Sequence, residues 1–200
     1  MKNKTIIFGC GGHARSVADV LLGNQPNADI VFIDSAARDG EQIFGFPVLR
    51  DFPTAGLTCY CAVGDNITRH DMFAERDFES LVAHDSYLGR DCKIGSGAFV
   101  AHHAHIGPCA IIGKGCIINT GAVVEHEVNI GDFCHVSVNA TVCGRVQIGN
   151  RVFVGAGVTI RDKIRVCDDV IIGCGSSVVK DITEPGVYGG CPVHRIGDFK

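Results

Sequence analysis

The sequence predicts two domains of different fold class: a small Rossmann-like βαβ domain over residues 1–82, and a parallel β-helix with a C-terminal tail over residues 83–200. Two observations lead to this prediction. A six-residue hydrophobic period runs through the C-terminal half without a change of phase. Before it, the order strand, Gly-rich turn, helix, strand is typical of a βαβ unit.

The six-residue period begins at Leu88 and continues through sixteen hexads. A fixed period indicates stacked units, and a period of six is the signature of a β-helix built from hexapeptides. We expect each of these aliphatic side chains to fill the interior of the prism. The aliphatic positions are Leu88, Ile94, Val100, Ile106, Ile112, Ile118, Val124, Ile130, Val136, Val142, Ile148, Val154, Ile160, Val166, Ile172 and Val178.

The corners of the prism have their own pattern. The residue two places before each aliphatic position is small or β-branched, from Cys92 to Val158. We interpret this position as a second inward site, where a large side chain would overpack the core. Glycines such as Gly107 and Gly131 often follow the aliphatic residue, and there we expect a corner that needs φ > 0.

The first eighty residues show no six-residue period. The predicted elements are, in chain order, the strand Thr5–Phe8, a turn at 9–13, the helix Ala14–Leu22, the strand Ile30–Ile33 and the strand Cys59–Val63. Parallel sheets of this kind bind ligands at the C-terminal ends of their strands. We therefore expect a binding site near Asp34 and Gly64, which follow two of these strands.

The turn at 9–13 departs from the full GxGxxG dinucleotide fingerprint. Ala14 occupies the third glycine place, and Asp34 comes too early for the usual acidic residue. A mononucleotide or a nucleotide-sugar fits this short unit better. Backbone N–H groups at 11–13 are then expected to bind a diphosphate, and Asp34 a ribose or base. The alternative is a strand-to-helix turn with no ligand.

Composition excludes several classes of partner. The chain of 200 residues has a net charge of −4 and no block of like charges, so nothing indicates binding to nucleic acid or to an anionic membrane. We find no apolar stretch of bilayer-spanning length, and the N-terminus lacks the features of a signal peptide. These observations predict a cytoplasmic protein.

Eleven cysteines raise the question of disulfides or a metal. Three of them, Cys92, Cys116 and Cys134, occupy the small inward position of the period, which predicts small hydrophobic residues in a reducing compartment. Cys59 and Cys61 alternate in a strand-like run without the spacing of paired zinc ligands. We therefore predict no structural metal.

Among the nine histidines, His126 is distinctive because it lies between Glu125 and Glu127. It is the third residue of its hexad, an outward place, and a carboxylate beside an imidazole favours a base near neutral pH. His135 lies in the next hexad on a different face, where a subunit interface could bring it close. We interpret the cluster His102, His103 and His105 as surface or interface, with a metal site as the alternative.

Taken over its whole length, the chain resembles the PglD-like nucleotide-sugar N-acetyltransferases, a group similar to the sialic acid O-acetyltransferases of the NeuD type. The residues that carry the resemblance are IIFGCGGHARSVADV, FIDS and AVGDN in the first domain, and INTGAVVEHEVNIGDFCHVS and VYGGCPVHRI in the second. Both belong to the hexapeptide-repeat acyltransferase superfamily. The resemblance implies a left-handed helix and a homotrimer, with acetyl-CoA bound in a groove between neighbouring helices and no metal.

The resemblance also assigns residues. It implies that His126 is the catalytic base and Glu127 its acidic neighbour. The positions implied for substrate are Gly9, Gly11, Gly12, His13, Asp34, Ser35, Gly64, Asn66 and Arg69. The positions implied for acetyl-CoA are His135, Gly144, Ala156, Gly173 and Pro192. Asp65 departs from the second Asn of some relatives, and this leaves the contacts of that loop open.

The implied reaction is acetylation of the 4-amino group of a nucleotide-linked sugar, UDP-linked and of the 4-amino-4,6-dideoxy type, in bacterial glycan synthesis. One alternative is O-acetylation of a sialic acid. Another is a zinc enzyme of the carbonic anhydrase type, which needs two histidines five residues apart, whereas Gly131 stands five residues after His126. A third is a non-catalytic trimer that binds a nucleotide-sugar or serves as a scaffold.

Overall fold

The structure is a computed structural model that describes residues 4–199. Its N-terminal domain holds a five-stranded sheet in the order β3-β4-β2-β1-β5, parallel except for the β3–β4 pair. The strands are β1 (Lys4–Phe8), β2 (Asp29–Ile33), β3 (Gln42–Ile43), β4 (Phe46–Leu49) and β5 (Thr58–Cys61), and the helices are α1 (Gly12–Asn24) and α2 (Asn66–Glu75). The predicted βαβ unit is confirmed, with β5 ending two residues before the predicted boundary.

The C-terminal part is a three-sided parallel β-helix, whose faces we name sheets I, II and III. The strands of sheet I are β6 (Leu81–Val82), β9 (Phe99–Val100), β12 (Ile117–Ile118), β15 (His135–Val136), β18 (Phe153–Val154) and β21 (Val170–Ile172). Those of sheet II are β7 (Tyr87–Leu88), β10 (His105–Ile106), β13 (Val123–Val124), β16 (Thr141–Val142), β19 (Thr159–Ile160) and β22 (Ser177–Val178). Those of sheet III are β8 (Lys93–Ile94), β11 (Ile111–Ile112), β14 (Asn129–Ile130), β17 (Gln147–Ile148) and β20 (Arg165–Val166).

The chain visits the three sheets in turn, so each residue pairs with the one eighteen places later. Ile106 lies beside Val124 and Val124 beside Val142, in parallel register. The predicted inward positions are confirmed, because the aliphatic residues from Val100 onward are buried and form one continuous core. The small positions from Ala98 to Val158 are buried with them. Leu88, in the first coil, remains 41% exposed.

The expectation that the glycines after the aliphatic residues need positive φ was wrong. Positive φ falls two residues further on, at a place held by Glu127 (φ 58), Arg145 (φ 62) and Gly157 (φ 66) among others. The glycines serve close backbone approach instead. A Cβ added at Gly113 would lie 2.5 Å from the backbone of Gly131, one coil away, so only glycine lets the coils stack there.

The N-terminal domain packs on sheet I. Ile7 and Leu21 share one buried cluster with Phe99 and Ile117, whose side chains point outward from sheet I. β6 pairs with β9, so the β-helix already begins within the last residues assigned to the first domain. This packing leaves sheets II and III uncovered by the chain's own N-terminal domain.

A hairpin closes the chain at the C-terminal end. β23 (Gly186–Gly190) extends sheet I in parallel beside β21, and β24 (Val193–Gly197) pairs antiparallel with β23. Within residues 4–199, neither helix combines the length and the apolar character of a membrane span.

Candidate active site

His126 stands on the corner between sheets II and III, in the turn from β13 to β14. Its Nδ1 atom lies 3.1 Å from Oε2 of Glu127, and its backbone N–H donates to Glu125 at 3.2 Å. The imidazole is 46% exposed on the outer surface of the prism. With Nδ1–H donating to the carboxylate, Nε2 keeps a lone pair and can accept a proton.

Glu127 also binds a residue that sequence reasoning missed. Nε of Arg145 donates to Oε2 of Glu127 at 2.8 Å. The hydrogen bond from Arg145, and then that from His126, hold the pKa of Glu127 below its usual range. The carboxylate therefore stays ionised beside the imidazole. This pair could have been predicted from the sequence, because Glu127 and Arg145 have opposite charges and stand eighteen places apart, which puts them in adjacent coils.

Gly144 lies directly one coil beyond His126. A Cβ added at residue 144 would be 2.5 Å from Nε2 of His126 and 2.6 Å from Cε1. The imidazole thus occupies the space above the Gly144 backbone. The structure brings His126, Glu127 and Gly144 together within one chain, as the assignment of these residues to one site requires.

The remaining residues predicted to contact acetyl-CoA lie elsewhere. Ala156 and Gly173 are on the corner between sheets I and II, which borders sheet II on the side opposite His126. Pro192 is exposed in the turn of the C-terminal hairpin and lines a cavity of 260 Å³ with Tyr188 and Lys180. Among the described residues, Ala156 and Gly173 therefore lie across sheet II from His126.

His135 lies on sheet I beneath the N-terminal domain, far along the coil from His126. Its Nε2 atom is 3.1 Å from Nδ2 of Asn119, and its ring packs edge-on against Phe153. Burial, then the charge of Arg69, lowers the pKa of His135 to about 4. The imidazole is therefore neutral at physiological pH, and Nδ1 has no hydrogen-bond partner among the described residues.

His13, predicted to contact substrate, faces the same place from the first turn of α1. Its ring centroid is 6.4 Å from that of His135 and 5.0 Å from that of Phe99. Burial, followed by the charges of His135 and Arg69, lowers the pKa of His13 to about 3. Nε2 of His13 is likewise buried without a partner in the described structure. Two neutral imidazoles thus leave unused polar atoms at the boundary between the domains.

The loop after β1 is shaped by Asp34. Its carboxylate accepts the N–H of Cys10 at 3.0 Å and that of Ala36 at 2.9 Å. Burial raises the pKa of Asp34, but these hydrogen bonds outweigh it and the net pKa is lowered. Gly9 has φ 111 and its Cβ would lie 2.9 Å from the carbonyl oxygen of Ala62, so only glycine fits. Asp34 therefore holds the loop in shape with both oxygens.

An open cleft of about 520 Å³ lies at the C-terminal ends of β1 and β2. Gly9, Asp34 and Ser35, three of the residues predicted for substrate, line it together with Arg50 and Arg76. Gly11 and Gly12 are exposed beside it at the start of α1, with nothing within 4 Å of a Cβ added to either. The two arginines were missed, because isolated basic residues in loops carry no recognisable sequence pattern.

Arg69 has a different place from the one predicted. It is 1% exposed and donates to the carbonyls of Gly115 at 2.6 Å and Phe133 at 3.0 Å, both in the β-helix. Further bonds reach Val63, Gly64 and the side chain of Asn66. The guanidinium thus joins the two domains and offers no exposed face to a ligand.

Asn66, the first residue of α2, and Gly64, two residues before it, lie at a second cavity. Asp65, the departure noted in this loop, caps α2 by accepting the Thr68 N–H at 2.8 Å. Gly64 and Asn66 line a cavity of 310 Å³ between α2 and sheet I, with Phe153 on the other side.

The histidine cluster lies on the first coils, against α1. His102 contacts Asp85 at 2.7 Å and Asp19 at 3.3 Å, while the ring of His105 stacks on Tyr87. Among residues 4–199, no group of three His, Cys, Asp or Glu side chains has a geometry suited to a metal ion.

Comparison with known families follows the division into two domains. The PglD N-terminal domain matches residues 4–75, and the bacterial transferase hexapeptide (six repeats) matches residues 91–126 and 127–162. A search of curated protein sequences finds no match. The predicted fold class, an N-terminal α/β domain followed by a left-handed hexapeptide β-helix, is confirmed.

Solved structures match the chain over nearly its full length. The acetyltransferase domain of PglB from Neisseria gonorrhoeae superposes with a TM-score of 0.91 at 26% identity, covering 98% of this chain and 100% of that one. PerB from Caulobacter crescentus, in complex with CoA and GDP-perosamine, gives 0.88 at 28% identity, covering 98% and 99%. WeeI from Acinetobacter baumannii has the same fold, with a TM-score of 0.89 at 19% identity, covering 96% and 99%.

The two domain matches together cover both parts of the chain, and the structural likeness extends over nearly its full length. The chain therefore belongs to the PglD-like family of hexapeptide-repeat sugar acetyltransferases.

Proposed function

We propose that this acetyltransferase moves an acetyl group from acetyl-CoA to the 4-amino group of a nucleotide-linked 4-amino-4,6-dideoxy sugar. The observation that carries the proposal is the pairing of His126 with Glu127 at 3.1 Å on an exposed corner of the β-helix. The complex of PerB with CoA and GDP-perosamine supports the class of both substrates. UDP is our predicted nucleotide, and GDP is the alternative that this complex suggests.

In the proposed mechanism His126 acts as a general base in a single displacement. Nε2 of His126 takes a proton from the sugar amine while the amine nitrogen attacks the thioester carbonyl. A C–N bond forms, the C–S bond breaks, and His126 returns the proton to the departing CoA sulfur. Glu127 accepts Nδ1–H throughout and stabilises the imidazolium that forms between the two proton transfers.

Gly144 is the proposed oxyanion donor. Its backbone lies next to the His126 ring, where a thioester carbonyl would be in reach of both residues. In other acyl transfers one such donor contributes about 3 kcal/mol to transition-state stabilisation. The absence of a side chain at Gly144 leaves room for the acetyl group and the imidazole on the same corner.

Direct transfer requires no cysteine nucleophile. Cys143, the cysteine next to Gly144, has its pKa raised by burial, then by the carboxylates of Asp162 and Glu125. Its thiol is therefore protonated at neutral pH and a poor nucleophile.

A homotrimer completes the proposed site. His126 lies on one border of sheet II, while Ala156, Gly173 and the Asn119–His135 pair lie on or beside the other border. The chain's own N-terminal domain covers sheet I, so its nucleotide cleft does not face His126. If sheet II packs against a neighbouring chain, His126 of one subunit approaches the cleft of the next.

The outward residues of sheets II and III support the same choice of interface. Sheet II presents Tyr87, His105, Val123, Thr141, Thr159 and Ser177. Sheet III presents Lys93, Ile111, Asn129, Gln147 and Arg165, a more polar set that is exposed in every case. Sheet II thus lacks the lysine and arginine side chains that sheet III presents, and a surface depleted of charge is typical of the buried centre of a protein interface.

The proposed nucleotide site is the cleft of about 520 Å³ in the N-terminal domain. Arg50 and Arg76 supply positive charge there, and Gly11 and Gly12 place backbone N–H groups at the start of α1. Free N–H groups at a helix start favour a diphosphate. His13 packs against Phe99 of the β-helix, and Gly64 and Asn66 line the second cavity, so we assign the sugar to this side of the N-terminal domain.

The test is acetyl transfer from acetyl-CoA to UDP-, GDP- and dTDP-linked 4-amino sugars and to free sialic acid, read by product mass. Mass detection avoids thiol-reactive dyes, which the eleven cysteines would consume. Gain of one acetyl group on an amino sugar supports the proposal and identifies the nucleotide. Acetylated sialic acid would favour the O-acetyltransferase alternative, and transfer to none of these acceptors would contradict the proposed substrate class.

A further inference from the structure

Arg145 contacts the same carboxylate oxygen that faces the proposed base. Its Nε atom lies 2.8 Å from Oε2 of Glu127, and that oxygen lies 3.1 Å from Nδ1 of His126. One oxygen therefore accepts from the imidazole and from the guanidinium together. A charged donor makes such a hydrogen bond shorter and stronger than a neutral one does.

The backbone fixes this arrangement. Glu127 and Arg145 occupy equivalent corner positions in adjacent coils, with φ values of 58 and 62. The N–H of Arg145 donates to the carbonyl of His126 at 3.0 Å, so the guanidinium starts from a backbone tied to the base itself. Without the guanidinium, the half-exposed Glu127 side chain would be free to rotate away from Nδ1.

We infer that Arg145 is a positioning residue for acetyl transfer: it locks Glu127 against His126 and so selects the imidazole tautomer whose Nε2 is free. The inference rests on the proposed function, in which His126 is the base. Arg145 acts through Glu127 and is not placed in contact with substrate.

The other charged residues near this corner are two acids and one lysine. Glu125 accepts the backbone N–H of His126, and the next coil carries Asp162 and Lys163, whose N–H donates to the carbonyl of Gly144. Arg145 is thus the cation in direct contact with the Glu127 carboxylate within the described residues. Its removal therefore leaves no cation among these residues to hold Glu127 against Nδ1 of His126.

The kinetic test compares Arg145→Gln, Arg145→Lys and Glu127→Gln. We expect Arg145→Gln to lower kcat about three- to tenfold, a fraction of what general-base catalysis contributes, with KM for both substrates unchanged. Arg145→Lys keeps the charge without the planar donor, so kcat should recover only in part.

The double variant Glu127→Gln/Arg145→Gln tests whether Arg145 acts through Glu127. We expect it to be no slower than Glu127→Gln alone. The inference would be overturned if the losses of kcat in the two single variants multiplied in the double variant. It would also be overturned if Arg145→Gln raised KM for acetyl-CoA with kcat unchanged, since either result would mean a role separate from Glu127. Arg38→Gln is the matched control, because Arg38 is 84% exposed and pairs with Glu41 at 3.2 Å in the N-terminal domain.

A readout independent of turnover separates this inference from the proposed function. Imidazole ¹⁵N NMR reports which nitrogen of His126 carries the proton. We expect the Nδ1–H tautomer in the wild type and a mixture of tautomers in Arg145→Gln. An unchanged tautomer ratio would overturn the inference even if transfer occurs, whereas full activity in His126→Ala would overturn the proposed function and leave the NMR result standing.

Discussion

The imidazole of His126 occupies the space that a side chain at Gly144 would need, with Nε2 2.5 Å from the position of an added Cβ. The two residues lie eighteen places apart and face each other across one coil step. The shape of the proposed catalytic corner therefore depends on a missing side chain as much as on the base.

Gly144→Ala should consequently displace His126 without unfolding the protein. The new methyl group must push the ring aside, and a misplacement of about 1 Å costs up to about 10²-fold in rate. We expect kcat to fall by between about tenfold and 10²-fold, with the thermal midpoint nearly unchanged, because the half-exposed ring can move. Gly23→Ala, whose Cβ would have only ordinary contacts, is the control for a Gly→Ala change without a steric conflict, and its kcat should stay at the wild-type value. Wild-type kcat in Gly144→Ala would contradict this geometry.

Arg69 should be required for stability, since its five N–H groups all donate across or within the domain boundary. Arg69→Met leaves buried carbonyls unsatisfied, and we expect it to lower the free energy of unfolding by about 3–5 kcal/mol. Arg69→Lys, with three donors, should be intermediate. Chemical denaturation measures the free energy of unfolding, and Arg90→Met, at an exposed position, is the control. Equal loss in both Met variants would contradict the role of Arg69 as the link between domains.

The pH dependence of stability should report His13 and His135. Burial keeps the folded-state pKa of these residues at about 3 and about 4, whereas in the unfolded chain they titrate near 6.5. The unfolded state then binds more protons below pH 6.5, so stability is full above that pH and is lost as the pH falls toward 4. Each group contributes a slope of up to about 1.4 kcal/mol per pH unit in that window.

His135→Gln removes one of these titrating groups and should flatten the stability curve between pH 6.5 and 4. The matched control is His194→Gln, at an exposed position in the C-terminal hairpin. Denaturant titrations at several pH values give the slopes. A slope in His135→Gln as steep as in the control would show that His135 is not held neutral by burial.

The interior of the β-helix could be predicted from the sequence because the period repeats one environment at every step. Val124 and Val142 are buried for the same reason, and Cys134 follows the same small-residue rule as Ala122 and Ala140. The place of positive φ was mispredicted, because glycine satisfies two different needs. Gly157 supplies a left-handed backbone, while Gly113 gives close approach, and the sequence alone does not distinguish them.

Contacts between the domains were beyond sequence reasoning. Arg69 binds carbonyl oxygens, which every residue carries, so no pattern marks its partners Gly115 and Phe133. The Arg145–Glu127 pair was recoverable, because the eighteen-residue coil places opposite charges in contact. The cleft arginines Arg50 and Arg76 became recognisable only when the fold brought their loops together.

His126 is the proposed base for acetyl transfer, and every step of the mechanism depends on it. The most direct test is kcat for His126→Ala with the amino-sugar nucleotide that the substrate panel identifies, compared with His103→Ala, an exposed histidine 75% open to solvent. We predict a loss of about 10²–10⁴-fold in His126→Ala with substrate binding retained, and wild-type turnover in His103→Ala. Near wild-type turnover in His126→Ala would contradict the account.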